Sequence, residues 1–255
     1  MTNPLLDLDH LPPFDRLEAG HIEPALRQVL GENRAELERL LGQPQASFAT
    51  LVEPMEQMQH RLMRVWSPAA HLNAVANSEN LRAAYNACLP LLTEYSTEIG
   101  QNEALYRCYT RIGEDPSVEL DPTQRRLIDH ALRDFRLGGV GLPPERKDRY
   151  KAIMQELASL QARFEENVLD CMNAWSKVLH SADELAGLPV HVIERARATA
   201  VTRGVAGWVL TLDQPNYVAV MAHAQCGDSD TAWSGPLSPA VTAMGSRFSA
   251  GVTGH

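Results

Sequence analysis

The chain has 255 residues, with 23 Lys or Arg against 32 Asp or Glu and a formal net charge of −9. That length allows one large domain or two small ones with a real core. The acidic balance argues against a nucleic-acid partner, because no basic patch is available to release counterions.

The four cysteines, Cys88, Cys108, Cys171 and Cys226, lie far apart and form no CxxC pair, which argues against a Cys-based zinc site or a secreted disulfide framework. Met1-Thr2-Asn3-Pro4-Leu5 lacks the basic flank and long apolar run of a signal peptide. No uncharged stretch approaches the roughly 18 residues of a membrane span. The expectation is a soluble, cytoplasmic protein with reduced thiols, no membrane partner and no nucleic-acid partner. Arg125-Arg126 and Arg146-Lys147 are short clusters diluted by acids and read as a solvated helix face. The oligomeric state is not legible.

The periodicity is helical nearly throughout. Ile22, Ala25, Leu26, Val29, Leu30, Leu37 and Leu40 mark a first amphipathic helix, with Pro24 expected in its first turn. Ser47 can cap a second, carrying Leu51, Met55, Met58, Leu62 and Val65 on one side, and Ser67-Pro68 is expected to bend or end it. Ser78 can cap a third, in which Leu81, Ala84, Tyr85, Cys88, Leu92, Tyr95 and Ile99 recur. Pro90 inside this run predicts a kink or two helices. Asp121-Pro122 reads as a cap followed by proline at the first helical position, and Gly138-Gly139 as the stop of that helix. After Pro143-Pro144, one stripe runs from Tyr150 through Ile153, Met154, Leu157, Leu160, Phe164, Val168, Met172 and Trp175 to Leu179. A helix of that length needs partners along it, so it is expected in the middle of a bundle. A short helix is predicted between Pro189 and Val201.

One segment reads as a strand or short hairpin, near 207–212. Trp208, Leu210 and Leu212 alternate with Val209 and Thr211, between Gly207 and an Asp213-Gln214-Pro215 turn. It needs a pairing partner, either Val201 to Val205 or sequence beyond this chain. From Cys226 to His255 only Asp228, Asp230 and Arg247 are charged, and that low-charge tail is expected to stay disordered.

No constellation carries chemistry by itself. A helical zinc-protease site needs two histidines four apart, with a Glu after the first to act as base. The nine histidines are His10, His21, His60, His71, His130, His180, His191, His223 and His255; none lies four from another, and none is followed by Glu. His191 and Glu194 have one-turn spacing that local pairing explains. Cys88 and Cys171 fall on or near apolar stripes, and Cys108 beside Arg107 is the least implausible reactive thiol. Gly138-Gly139-Val140-Gly141 lacks phosphate-loop spacing and reads as a helix cap. Glu165-Glu166 and Asp183-Glu184 are ordinary surface acids.

Longer strings are more specific. Met1-Thr2-Asn3-Pro4-Leu5-Leu6, Leu11-Pro12-Pro13-Phe14, Ser67-Pro68-Ala69-Ala70-His71-Leu72-Asn73, the run from Leu89 to Thr97, Ala131-Leu132-Arg133-Asp134-Phe135, Gly141-Leu142-Pro143, Asn167-Val168-Leu169-Asp170 and Leu210-Thr211-Leu212-Asp213 stand in order between Met1 and Gln225. Together they resemble the N-terminal part of the thimet-oligopeptidase family of zinc metallopeptidases, in its bacterial oligopeptidase branch. The resemblance implies a largely helical clam-shell with a narrow channel that admits short peptides. It implies a cytosolic enzyme whose zinc is held by an HExxH helix and a downstream Glu, all in the C-terminal half. No family site position has a match here, so the expected catalytic, cofactor-binding and metal residues are none, with zinc belonging to the complete family enzyme.

After Tyr217-Val218-Ala219-Val220-Met221 the family continues in charged helix, whereas this chain turns to Gly, Ala, Ser, Thr and Pro. That composition is what a GC-rich gene read out of frame produces. The expectation is therefore a mainly α N-terminal domain over 1–225, forming one wall of a peptide channel. A tail over 226–255 would arise from a frameshift or sequencing error. The chain alone would have no peptidase activity. The rival reading is a non-catalytic helical module that binds peptides or a partner helix.

Overall fold

The computed structural model describes residues 3–224 apart from 9 and 117. The expected tail over 226–255 lies outside them. The described residues form eight α-helices and one two-stranded antiparallel sheet, so the protein is mainly α. No described helix is long and apolar enough to cross a membrane. The chain divides into two compact units at Leu160/Gln161, a division inside 1–225 that the sequence reading does not draw.

The first unit starts with α1 (Ala19–Leu41), α2 (Glu53–Val75) and α3 (Glu79–Gly100). Helix α1 opens at a reciprocal cap, in which the Glu18 side chain accepts from the backbone of His21 and the Glu18 backbone N–H donates to His21 Nδ1 at 3.1 Å. Pro24 therefore lies inside the helix rather than in its first turn. Ser47 accepts from the Thr50 N–H at 3.1 Å and starts a wide π turn, Phe48–Val52, that runs straight into α2. Ser78 caps α3 through the Leu81 N–H at 3.3 Å.

Of the alternatives at the two prolines, the ending of α2 at Pro68 and the division of α3 at Pro90 do not occur: α2 continues to Val75, and α3 is one helix through Pro90. Interior proline costs about 3 kcal/mol, but both helices are anchored on each side of it. Leu62 and Val65 precede Pro68, with Ala69 after it; Leu81 and Cys88 precede Pro90, with Tyr95 after it, all buried.

Helix α4 (Glu103–Glu114) was not predicted. Its signals were present, with Asn102 accepting from the Leu105 N–H at 2.9 Å and Leu105, Cys108, Tyr109 and Ile112 buried on one face. Helix α5 (Pro122–Leu137) has the predicted cap: Asp121 Oδ1 accepts from Thr123 at 2.7 Å and Gln124 at 2.8 Å. It ends as expected, in a Schellman turn where Val140 N–H reaches Phe135 O at 3.0 Å and Gly139 N–H reaches Arg136 O at 3.2 Å. Gly139 has φ 84, and a Cβ there would lie 2.6 Å from Leu142 Cδ1. Only glycine fits without displacement.

This unit holds two cores. The first joins Ile22 to Leu30 of α1 with Leu62, Val65 and Ala69 of α2 and Leu81, Cys88 and Tyr95 of α3. The second gathers Leu37, Leu40, Leu51, Val52 and Met58 with the inner faces of α4 and α5. Buried Asn33 ties α1 to α2, donating to Met58 O at 3.2 Å and accepting from Arg61 Nη2 at 2.7 Å.

Helix α6 (Pro144–Ala174) runs through the division between the units. It is not the centre of a bundle. Ala162 is its only buried residue, while Ile153, Leu157, Phe164 and Met172 are exposed. It also ends before Trp175, because Ser176–Leu179 is a strand.

In the second unit that strand, β1, pairs antiparallel with β2 (Trp208–Thr211), Ser176 opposite Thr211 and Leu179 opposite Trp208. The partner is thus neither Val201 to Val205 nor sequence beyond the chain; Leu179, 2 % exposed, is drawn into the core by the pairing. Gly207 has φ 98, and a Cβ would meet Leu179 O at 2.2 Å, so the approach of the two strands requires glycine. Helix α7 (Val190–Thr202) matches the prediction, and its Val192 and Ala196 share a core with Leu185, Leu210 and Val220. The predicted Asp213 turn is instead the start of α8 (Gln214–His223): Asp213 Oδ1 accepts from the Asn216 N–H at 3.0 Å, and Pro215 occupies the first turn.

Candidate functional site

Among the described residues no three His, Cys, Asp or Glu side chains converge as metal ligands. The described histidines are exposed apart from half-buried His21, and His21 is spent as a helix cap. The described residues therefore offer no donor set for a zinc ion, which the family resemblance places in the C-terminal half of the complete enzyme. His191 and Glu194 both point to solvent on α7. Glu184 is structural: its Oε2 accepts from the backbone of His180 at 3.1 Å and Ser181 at 3.0 Å, and those bonds hold its carboxyl below the usual range.

The thiols fare no better as nucleophiles. Burial pushes Cys88 up to about 11, so it stays a neutral thiol at physiological pH. Cys108 is buried, and the guanidinium against its sulfur is that of Arg111, at 3.4 Å, while Arg107 leans toward Glu103 at 3.7 Å. Cys171 sits half-buried on α6.

What the first unit does build is a groove of about 670 Å³, opened where its two cores part. Its floor is buried: Leu62 of α2, Tyr95 of α3, Leu105 and Tyr109 of α4, and Phe135 of α5. Tyr109 packs edge-on against Phe135, ring centroids 5.5 Å apart. Half-buried Trp66 forms part of the wall and is held by stacking on Tyr85 at 4.9 Å. Met55 and Met63 add flexible thioether surface, suited to side chains of varied shape.

The polar groups of the groove have one sign. Glu56 and Asp134 line it together with Gln59, Thr93 and Ser96, and no Lys, Arg or His does. Asp134 Oδ1 accepts from Arg133 at 2.8 Å. Burial, and then the Glu56 charge, push the Tyr109 hydroxyl far above the usual tyrosine range, so the field of that carboxylate reaches the floor. The arrangement is an apolar, aromatic floor with two carboxylates and the hydroxyls of Thr93 and Ser96 along its lining. Sequence periodicity assigned Met55, Leu62, Leu92, Tyr95 and Ile99 to core faces and gave no sign that the core opens there, since α4 was not read.

Comparison with known proteins agrees with the fold. The family described as Neurolysin/Thimet oligopeptidase, N-terminal domain, matches residues 26–147. Oligopeptidase A of Haemophilus influenzae is 39% identical over 226 residues, which is 88% of this chain and 33% of that protein. Oligopeptidase A of Escherichia coli is 40% identical over 225 residues, again 88% and 33%. The probable cytosolic oligopeptidase A of Arabidopsis thaliana is 34% identical over 232 residues, with the same two shares. The chain spans about a third of the length of these curated relatives.

Proposed function

This chain belongs to the neurolysin and thimet oligopeptidase family through its N-terminal domain, and from that premise we propose that it is the substrate-channel wall of a zinc-dependent oligopeptidase acting on short peptides in the cytoplasm. The observation that carries the reading is the identity over 88% of the chain to proteins named Oligopeptidase A, joined to a mainly α fold with an apolar groove in its first unit. Zinc, water activation and peptide-bond cleavage then belong to the part of the family enzyme that carries HExxH, a motif this sequence lacks.

Two features of the fold support a role as part of something larger. Helix α6 exposes Ile153, Leu157, Phe164 and Met172, a surface that packing against further polypeptide would cover. In the second unit, Trp208 Nε1 and Asn216 Oδ1 are buried with no partner among the described residues, although Asn216 Nδ2 donates to Thr211 Oγ1 at 2.9 Å and Asp213 Oδ2 at 2.7 Å. Unpaired buried polar groups are costly, and additional chain would satisfy them.

The test is complementation. A fluorogenic peptide is incubated with zinc and this chain, alone or mixed with the HExxH-bearing remainder of the Escherichia coli relative. The expected result is no turnover from the chain alone and chelator-sensitive turnover from the mixture. Zinc-dependent turnover by the purified chain alone overturns the reading. The same proposal covers residues 226–255 as out-of-frame translation: another frame of the coding DNA past codon 225 then encodes HExxH, and if neither does, that part fails.

A further inference from the structure

We propose that the groove of the first unit is a subsite for a peptide carrying a large apolar side chain beside a lysine or arginine; this rests on the peptide-handling reading above and specifies it. The apolar residue seats on the Trp66 wall and the Phe135 floor, with Met63 at the lip. Its cationic neighbour pairs with Glu56. The volume, about 670 Å³, is within the range of pockets that enclose small ligands.

Charge complementarity selects the occupant. Glu56 and Asp134 are the only charged residues lining the groove. Asp134 is compensated by Arg133 at 2.8 Å, whereas Glu56 is exposed and faces no such cation within the groove. An acidic peptide would meet uncancelled repulsion there, and a wholly polar one would leave the aromatic and methionine surface unfilled. A peptide with an apolar anchor and a positive neighbour satisfies both parts of the site.

Three fluorescein-labelled tetrapeptides, acetylated and amidated to remove terminal charge, separate the contributions: Lys-Phe-Leu-Lys, Glu-Phe-Leu-Glu and Lys-Ser-Gly-Lys. Anisotropy titration against the full chain at low salt is expected to give saturable binding of the first. The second should bind about fivefold more weakly, as expected for exposed charge pairs, and the third should not bind. Glu56→Lys, an exposed position on α2, is expected to invert the order of the first two while the circular dichroism stays helical. Met63→Asp is expected to abolish binding of both phenylalanine peptides. Equal affinity of the lysine and glutamate peptides, or an unchanged ratio in Glu56→Lys, overturns the subsite. So does absence of binding by all three. Turnover in the complementation mixture with such a result leaves the family role standing and removes only the subsite. Selective binding without turnover in that mixture does the reverse.

Discussion

Helices α1 and α6 are amphipathic by the same sequence criterion, yet the protein treats them in opposite ways. Of the 23 residues of α1, eight are buried; of the 31 residues of α6, one is. In α1 the apolar stripe finds Leu62 and Val65 of α2 and Leu81 and Cys88 of α3, so each side chain leaves water and meets close-packed neighbours. The stripe of α6 leaves Ile153 at 46%, Leu157 at 43% and Phe164 at 48% exposure. The lesson is that a 3.6-residue apolar period licenses burial but does not supply the surface that completes it.

The sharpest way to break this contrast is a matched pair of truncations. Leu26 has 0% exposure, so Leu26→Ala is expected to cost about 2–5 kcal/mol in urea unfolding. Leu157→Ala is expected to stay within roughly 0.5 kcal/mol. Similar losses at the two sites would mean that α6 is packed in solution. A second expectation concerns the polar side of α1. Asn33→Ala removes the bond to the Met58 carbonyl and the acceptor of Arg61 Nη2 and should cost about 1–3 kcal/mol in the same assay, at about 1 kcal/mol per lost hydrogen bond, whereas exposed polar changes on α1, such as Gln28→Ala, should be close to neutral.

The α6 surface itself can be sharpened by charge. Replacing Ile153, Leu157 and Phe164 together by Glu is expected to leave the urea midpoint nearly unchanged and to lower the fluorescence of an added hydrophobic dye. A large loss of helicity in that variant would show that the stripe is already occupied. The smallest effect is electrostatic. Within the first unit, α6 is tied down by Lys147 to Glu103 at 2.8 Å and Lys151 to Glu94 at 2.6 Å. The lysine hydrogen bonds hold both carboxyls below the ordinary 4.5. Because these folded-state values are lowered, the tie is complete above pH 4.5 and is lost as pH falls through them. Amide exchange of residues 144–151 should therefore gain protection relative to its intrinsic rate on going from about pH 3 to pH 6; equal protection at both pH values would remove the ion pairs as the anchor.

Much of the fold was legible because it is local. Ser78 and Asp121 cap the helices they were assigned, and Gly138-Gly139 stops α5, since side-chain oxygens and a missing Cβ act within one turn of the backbone. The failures were of another kind. At Pro68 and Pro90 the reading left an ended or divided helix open beside a bend or kink, because the sequence shows the lost hydrogen bond and not the packing that outweighs it. Ser176–Leu179 was read as helix because its partner, Trp208–Thr211, stands about 30 residues away.

The sequence by itself determined the helical class, most caps, the absence of an HExxH pair and the family strings, all properties carried by residue type and short spacing. Only the tertiary structure decided which stripe is covered, which strands pair, and that two cores part to leave an acid-rimmed apolar groove. Those outcomes depend on long-range contacts between surfaces that become neighbours only after the chain has folded, and burial is a property of such pairs rather than of any one segment.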